Sequence, residues 1–201
     1  GTVLPIAGFF FLGAAETSTG ESVRRAGNEM LFQLLAKNLV ATLNRLGVTR
    51  IVTCDPHAFN TLRNEYPEFG GHYEVIHHTQ LIAQLIEQGR LTLAPAFEKV
   101  IYHEPCYLGR HNGEYEAPRR ALRAACSDSP FEFALARDKA MCCGAGGARM
   151  WMDEKIGRRI NVTRVEQALT RSPTTIATAC PYCAVMLQDG VNALGQADNV
   201  K

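Results

Sequence analysis

Five of the seven cysteines of this 201-residue chain fall into one pattern, and their residue type is one that binds metals. Cys106 is followed by the adjacent pair Cys142 and Cys143, and then by Cys180 and Cys183, which are separated by two residues. Thiolates are the soft ligands of zinc and of iron–sulfur clusters, and a two-residue gap lets both sulfurs face one site from a tight turn. The spacing therefore predicts a metal or cluster site built on this pattern.

A glycine run directly after the paired cysteines supports the same interpretation. Adjacent side chains diverge, so two neighbouring cysteines grip one compact site only where the backbone is irregular. The residues that supply this freedom are Gly144, Gly146 and Gly147. Five thiolates exceed the four ligands of a tetrahedral zinc ion, which favours a cluster. A zinc site that uses four of the thiolates, and a dithiol redox pair at Cys180 and Cys183, are the alternatives.

The remaining cysteines and several histidines are interpreted as structural. Cys54 and Cys126 are predicted to be small, buried apolar side chains. His77, His78 and His103 stand near predicted strand ends, where we expect satisfied polar residues rather than metal ligands. The pattern identifies no catalytic residue.

Composition and charge narrow the class of protein. Apolar residues make up 46% of the chain, its formal charge is +1 and its pI is about 7.8. No Lys/Arg cluster dominates one segment, which speaks against a nucleic-acid or anionic-membrane surface. The apolar run over 3–12 is too short to span a bilayer, so we expect no direct membrane insertion by this segment. Seven cysteines in a chain of this size indicate a reducing, cytoplasmic compartment rather than a disulfide framework.

The hydrophobic periodicity predicts alternating strands and helices. Strands are expected over 7–12, 49–53, 73–77, 99–103, 131–135 and 175–178. Helices are expected over 31–46, 79–88, 116–125 and 153–170, and two more begin at Pro56 and Pro181. Such alternation is typical of an α/β fold with mainly parallel sheets covered by helices.

An internal repeat without gaps divides the chain into two units. The sequence from Ile51 matches the sequence from Ile176, which predicts a first unit over 1–95 and a second over 96–201, related by a pseudo-twofold axis. The residues that stand opposite Cys143, Cys180 and Cys183 in this register are Ser18, Asp55 and Ala58. Alanine cannot bind a metal, and a hydroxyl or carboxylate replaces thiolate poorly at such a site. The first unit is therefore expected to lack cluster ligands.

The cysteine pattern, with Cys-Cys-Gly at 142–144, resembles the CCG cysteine-rich domain of the heterodisulfide reductase B subunit and its iron–sulfur oxidoreductase relatives. The resemblance implies that each unit is Rossmann-like and that the second holds a non-cubane [4Fe-4S] cluster. It implies that the ligands are the five cysteines of the motif, Cys106, Cys142, Cys143, Cys180 and Cys183. Members of the family commonly carry cysteines at the positions of Ser18, Asp55 and Ala58, where this chain departs from the pattern.

Local stretches resemble the soluble C-terminal part of bacterial membrane iron–sulfur proteins. They include residues 73–80, Cys106-Tyr-Leu-Gly-Arg-His-Asn112 and Arg149-Met-Trp-Met152. Those proteins take electrons from electron-transfer flavoprotein during fatty-acid oxidation and pass them to menaquinone. The resemblance implies an electron-transfer domain on the cytoplasmic side, with a flavoprotein partner and the rest of a larger membrane-associated polypeptide. A heterodisulfide-reductase-type catalytic subunit and a structural zinc-binding module are the alternative functions.

Overall fold

The computed structural model describes residues 11–201, in which helices alternate with short strands. We number the helices α1 to α7: Glu21–Arg25, Glu29–Arg45, Pro56–Asn60, His78–Glu87, Glu116–Ala125, Ile160–Leu169 and Pro181–Ala193. Within these residues the strands β1 to β4 are Arg50–Thr53, Glu74–His77, Val100–His103 and Thr175–Thr178. The strand predicted over 7–12 lies outside the described residues, apart from its last two positions.

Both sheets of the described residues are parallel. β1 pairs with β2, and β3 pairs with β4, so that His103 lies opposite Thr178 where the second pair ends. The last residue of the chain extends the second sheet, because Lys201 exchanges backbone hydrogen bonds with Thr174 and Ile176 at 3.0 and 2.8 Å. Parallel strands connected through helices define the α/β class. The predicted fold class is confirmed.

Corresponding elements of the two halves recur at the spacing of the sequence repeat. β1 begins at Arg50 and β4 at Thr175, 125 residues later, and α3 and α7 begin at Pro56 and Pro181, with the same separation. In both helices a proline occupies the first turn, where its missing N–H removes no helical hydrogen bond. The equal spacing agrees with two similar units, and the boundary between 95 and 96 remains a prediction.

The longest helix, α2, anchors the core of the first half. Its N-terminus is capped by the side chain of Asn28, which accepts a hydrogen bond from the backbone N–H of Leu31 at 3.1 Å. Its buried face consists of Phe32, Ala36, Leu39, Val40 and Leu43. This face packs on a cluster that includes Phe59, so the turn that opens α3 is held against the core.

Two predicted elements are shorter than expected. The helix predicted over 153–170 begins only at Ile160, because Gly157 has a left-handed backbone (φ +73°) and Arg159 is extended. The strand predicted over 131–135 is reduced to one bridge between Phe131 and Ile101. After this bridge the chain leaves the sheet, and the next side chain, Glu132, forms an ion pair with Arg119 of α5 at 2.6 Å.

Two of the three loops that carry the predicted site follow the carboxyl ends of strands, and the loop with Cys142 and Cys143 does not. β3 leads to Cys106, β4 leads to Cys180, and β1 leads to His57. Ligand sites of parallel α/β sheets form at this edge because the loops after neighbouring strands converge there. The fold thus places residues distant in sequence beside one another.

Candidate metal centre

Cys180 and Cys183 are held by the start of α7. Cys180 is the extended residue that precedes the helix, Pro181 occupies the first helical turn, and Cys183 follows on the same turn. Both thiols are buried. The N-terminus of a helix carries partial positive charge, which favours anionic sulfur at this position. The turn therefore brings the two cysteines together at the start of one helix, as their two-residue spacing predicts.

The loop that carries Cys142 and Cys143 depends on the glycine that follows. Gly144 has φ +95°, and its backbone N–H donates a hydrogen bond to Sγ of Cys142 at 3.2 Å. A Cβ atom at this position would lie 3.2 Å from the Cβ of Ile160. Gly144 is thus required by its conformation and by its packing, which lets the two adjacent cysteines turn toward the same centre.

The structure brings all five predicted cysteines together. The Cys142 side chain lies close enough to those of Cys106 and Cys143 for both to shift its pKa, and the sulfurs of Cys143 and Cys183 lie within 4.8 Å of each other. Cys183 and Cys180 also shift each other's pKa, so each of the five cysteines has another of the five as a neighbour. All seven cysteines of the chain are free thiols. Their assignment as ligands remains a prediction.

Charge is distributed unevenly along these sulfurs. Hydrogen bonds from Cys106 and Cys143 lower the pKa of Cys142, and the same contact raises the pKa of Cys106 and raises the pKa of Cys143 to about 12. A hydrogen bond from Cys183 lowers the pKa of Cys180 to about 6. Cys142 and Cys180 are therefore the thiolate members of the metal-free group. The other three cysteines remain protonated in the metal-free group, and they lose their protons when a metal cation binds to their sulfurs.

A buried histidine and arginine stand behind the sulfurs. A ring nitrogen of His103 lies within 4.8 Å of the sulfurs of Cys143 and Cys183. Nε of Arg164 donates a hydrogen bond to Nδ1 of His103 at 3.1 Å, and both residues are almost wholly buried. Burial lowers the pKa of Arg164 to about 10, while the negative charges of Glu104 and of the Cys142 thiolate act to raise it. The Cys142 thiolate thus supplies negative charge that stabilises the buried guanidinium of Arg164.

The hydrogen bond from Arg164 also fixes the tautomer of His103. Burial lowers the pKa of this histidine to about 3, so the ring is neutral. Since Nδ1 accepts from a guanidinium, the ring proton must reside on Nε2. Among the described residues, that nitrogen has no hydrogen-bond partner. Nε2 of His103 therefore carries an N–H that has no partner among the described residues, and the expectation that His103 is a satisfied polar residue is wrong at this atom.

The first half contributes a histidine to the same centre. His57 is buried, its Nδ1 lies 2.8 Å from a carboxylate oxygen of Glu21, and its ring interacts with the side chain of Cys180. The ring is packed between Tyr107 at 4.2 Å and Tyr182 at 4.8 Å, measured between ring centroids. Burial acts to lower the pKa of His57, but the bonds to Cys180 and Glu21 outweigh it and raise the pKa to about 9.

Sequence reasoning missed His57 and Arg164 as members of the centre, and it interpreted His103, which lies shortly before Cys106, as a satisfied polar residue. A signal existed for His57, because the internal repeat places Pro56-His57 opposite Pro181-Tyr182. The two aromatic rings that correspond in the repeat, those of His57 and Tyr182, meet edge to face. Arg164 and His103 are brought together only by packing between α6 and the end of β3.

Two of the residues at the corresponding positions of the first half, Ser18 and Asp55, accept hydrogen bonds from nearby backbone N–H groups. The side chain of Asp55 accepts a hydrogen bond from the backbone N–H of His57 at 2.9 Å, and the hydroxyl of Ser18 accepts from Gly20 at 3.1 Å. Among residues 11–201, the group of His103, Cys143 and Cys183 is the only set of three close metal-ligand side chains.

The two remaining cysteines have different environments. Cys126 is buried, as predicted. Cys54 is exposed, so its predicted burial is wrong. It lies in the bend between β1 and α3, where the next residue, Asp55, turns its side chain inward to cap the helix.

A protein-family model described as a cysteine-rich domain, CCG, matches residues 100–188. The chain is 46% identical over 194 residues to a probable iron–sulfur-binding oxidoreductase, FadF, of Bacillus subtilis; the match covers 96% of this chain and 28% of that protein. It is 43% identical over 201 residues to an EtfAB:quinone oxidoreductase of Syntrophomonas wolfei, again covering 96% of this chain and 28% of the relative.

A more distant relative comes from Methanosarcina barkeri. The chain is 31% identical over 193 residues to one polypeptide of the dihydromethanophenazine:CoB–CoM heterodisulfide reductase of that organism, covering 92% of this chain and 47% of the relative. The chain thus spans less than half the length of each of these relatives. In the described residues, no helix combines the length and the apolar character needed to cross a membrane.

Proposed function

Residues 100–188 belong to the CCG cysteine-rich domain family, and on that premise we propose that this chain is the iron–sulfur electron-transfer domain of a larger oxidoreductase. The main support for this proposal is that each of the five cysteines interacts with another of the five. These cysteines, which we assign as the cluster ligands, are Cys106, Cys142, Cys143, Cys180 and Cys183. Relatives named as an iron–sulfur-binding oxidoreductase and as an EtfAB:quinone oxidoreductase support the same class of function.

The donor set fits an iron–sulfur cluster better than a zinc ion. A tetrahedral zinc site uses four ligands, and this centre offers five soft sulfurs in contact. A smaller zinc site made of Cys143, Cys183 and His103 requires a free lone pair on a histidine nitrogen. Nδ1 of His103 accepts the bond from Arg164 and Nε2 carries the ring proton, so the neutral ring offers no free lone pair. We therefore propose a cluster with five protein ligands, and a non-cubane [4Fe-4S] cluster as its type.

When bound, such a cluster accepts and releases single electrons at a potential set by its surroundings. The chain itself supplies those surroundings. Arg164 offsets negative charge from the buried side, and His103 and His57 direct ring nitrogens toward the sulfurs. Three of the five cysteines are buried, whereas Cys106 and Cys142 are partly exposed. We propose that electrons enter or leave on the side of these two residues.

The remaining features concern the larger protein. Because the chain covers 28% of the first two relatives, we propose that further segments connect it to a membrane, with this domain on the cytoplasmic side. Seven free thiols support a reducing compartment. A flavoprotein of the electron-transfer type is the proposed redox partner, and quinone is the proposed destination of the electrons.

Electron transfer tests this proposal directly. The chain, purified under anaerobic conditions, is mixed with reduced electron-transfer flavoprotein in a stopped-flow spectrometer, and the visible absorption of the cluster is followed. The proposal predicts bleaching that reverses when an oxidant is added. A chain that holds its metal but shows no absorption change with the flavoprotein or with dithionite contradicts an electron-transfer role.

A further inference from the structure

Three aromatic rings are stacked in a row from the cysteine centre to the surface. The ring of His57, which interacts with Cys180, stacks on Tyr107 with 4.2 Å between ring centroids and 30° between ring planes. Tyr107 stacks in turn on His111, at 4.3 Å and 14°. His57 is buried, Tyr107 is partly buried and His111 is exposed. This row of rings, which we call the aromatic stack, therefore connects the centre with solvent.

The loop after Cys106 holds the two outer rings of the stack. The backbone N–H of His111 donates a hydrogen bond to the carbonyl of Cys106 at 3.2 Å. The side-chain amide of Asn112 donates to the carbonyl of Tyr107 at 2.6 Å and to Oδ1 of Asn60, in the first half, at 3.1 Å. The loop is thus tied both to itself and to the first half, so the exposed ring of His111 is held in place beside Cys106. A surface that is ordered before binding loses little entropy when a partner docks on it.

The surface around the exposed ring is positively charged. Arg110 precedes His111 and is exposed, and it belongs to no ion pair among the described residues. Burial lowers the pKa of His111, and the positive charges of Arg25, Arg110 and His57 lower it further. Arg25 is offset by an ion pair with Glu65, whereas Arg110 keeps its charge available. Such a surface attracts negative charge and favours a partner with an acidic face.

A second aromatic path to the surface is less suited to docking. Tyr182, which meets His57 edge to face, is followed by Trp151 at a centroid distance of 6.0 Å and an interplanar angle of 82°. Trp151 is exposed, but the cation beside it, Arg149, is paired with Glu154 at 2.6 Å. The rings on this path lie farther apart than in the aromatic stack, and the neighbouring charge is already used within the chain.

We propose that the exposed ring of His111 and the guanidinium of Arg110 form the docking point for an acidic surface of the redox partner. This inference rests on the proposed function and deepens it by assigning where the partner binds. A carboxylate of the partner pairs with Arg110, and the partner packs on the open face of His111. In the complex one electron leaves the reduced flavin of the partner and reaches the cysteine centre, so the flavin is oxidised, the centre is reduced, and no bond of this chain forms or breaks.

Binding of oxidised electron-transfer flavoprotein to the complete 201-residue chain tests the inference without a redox step. Titration calorimetry at low ionic strength measures the dissociation constant. We expect Arg110→Gln to weaken binding roughly two- to fivefold, as for one exposed ion pair. We expect His111→Ala to weaken it roughly three- to tenfold, as for one ring contact.

Two matched variants serve as controls. Arg45→Gln makes the same charge change in the last turn of α2, which leads to the amino end of β1 and so to the opposite edge of the sheet. Trp151→Ala removes the exposed ring at the end of the other aromatic path. Both controls should bind the flavoprotein as the wild type does.

The salt dependence of binding needs no variant of its own. Between about 0.01 M and about 1 M salt the Debye length falls from about 30 Å to about 3 Å. The affinity of the wild type should fall over this range, and the difference between wild type and Arg110→Gln should disappear. Wild-type affinity that does not change with salt contradicts an acidic partner surface.

Three further outcomes would overturn the docking point. They are unchanged affinity in both Arg110→Gln and His111→Ala, weakened binding in Trp151→Ala alone, and a wild-type chain that does not bind the flavoprotein. None of them decides the electron-transfer role, which depends on bleaching of the loaded chain by dithionite. If His111→Ala does not fold by circular dichroism, Arg110→Gln and the salt dependence decide the question.

Discussion

The imidazole of His57, which the first half provides, lies beside Cys180 in the second half, and this interaction raises the pKa of His57 and lowers the pKa of Cys180. The other side of the ring is held by Glu21 at 2.8 Å. The described part of the first half has no five-cysteine motif of its own, yet it supplies a buried histidine to the centre of the second half. The two halves are therefore coupled at the site itself, beyond the packing between them.

Removal of His57 should change the reduction potential of the cluster. Hydrogen bonds to ligand sulfurs stabilise the more negative, reduced state and so raise the potential. We expect His57→Phe to lower the reduction potential, by roughly 60 mV for each tenfold decrease in the equilibrium constant for one-electron reduction. His57→Gln, which retains an N–H donor, should recover part of the shift. Redox titration followed by electron paramagnetic resonance measures both variants, and equal potentials in wild type and His57→Phe would refute the coupling.

His103 should behave as a hydrogen-bond donor and not as a ligand. Its Nδ1 is occupied by Arg164 and its Nε2 carries the ring proton. We therefore expect His103→Gln to keep the full iron content while its reduction potential moves. Cys183→Ser, which removes a neighbouring sulfur, serves as the comparison and should lose iron. Metal analysis that shows equal iron loss in both variants would instead make His103 a ligand.

Gly144 should tolerate no side chain, in contrast to the nearby Gly146. Gly144 has φ +95° and a Cβ there would meet Ile160 at 3.2 Å, whereas a Cβ at Gly146 has nothing within 4 Å. We expect Gly144→Ala to lower the free energy of unfolding by about 1–3 kcal/mol, from backbone strain and crowding. Urea denaturation of the reduced, metal-free chain provides the measurement. A similar loss in Gly146→Ala would mean that the whole loop, and not this one position, is constrained.

His77 should make stability depend on pH. The ring is fully buried, and burial lowers its pKa to about 3 from an ordinary 6.5. The unfolded chain therefore binds a proton below pH 6.5 that the folded chain refuses, so stability falls as the pH drops through this value. When the pH falls from 7.5 to 5.5, we expect the free energy of unfolding of the wild type to fall by roughly 1 kcal/mol more than that of His77→Asn.

Urea denaturation at the two pH values measures this difference. His72→Asn, at an exposed position, serves as the control and should follow the wild type. Parallel pH profiles for the wild type and His77→Asn would show that His77 is not the source of the dependence.

The cysteine centre could be predicted from the sequence because soft ligand types at short spacings leave few other interpretations. Strand ends, prolines at helix starts and the irregular backbone after Cys143 were predictable for the same reason, since each follows from a local rule. The roles of Arg164 and His103 were not predictable, because the two residues meet only when α6 packs against β3. The late start of α6 at Ile160 was missed because Gly157 lies inside a stretch whose apolar spacing suits a helix.

Quantitation of iron, acid-labile sulfide and zinc per chain tests the central claim most directly. The protein is purified or reconstituted under anaerobic conditions as wild type, Cys180→Ser and Cys126→Ser, the last being a buried cysteine outside the centre. The account predicts about four irons and four sulfides per chain for wild type and Cys126→Ser, and loss of both in Cys180→Ser. A wild-type chain that holds one zinc and no sulfide, or iron retained in Cys180→Ser, would contradict it.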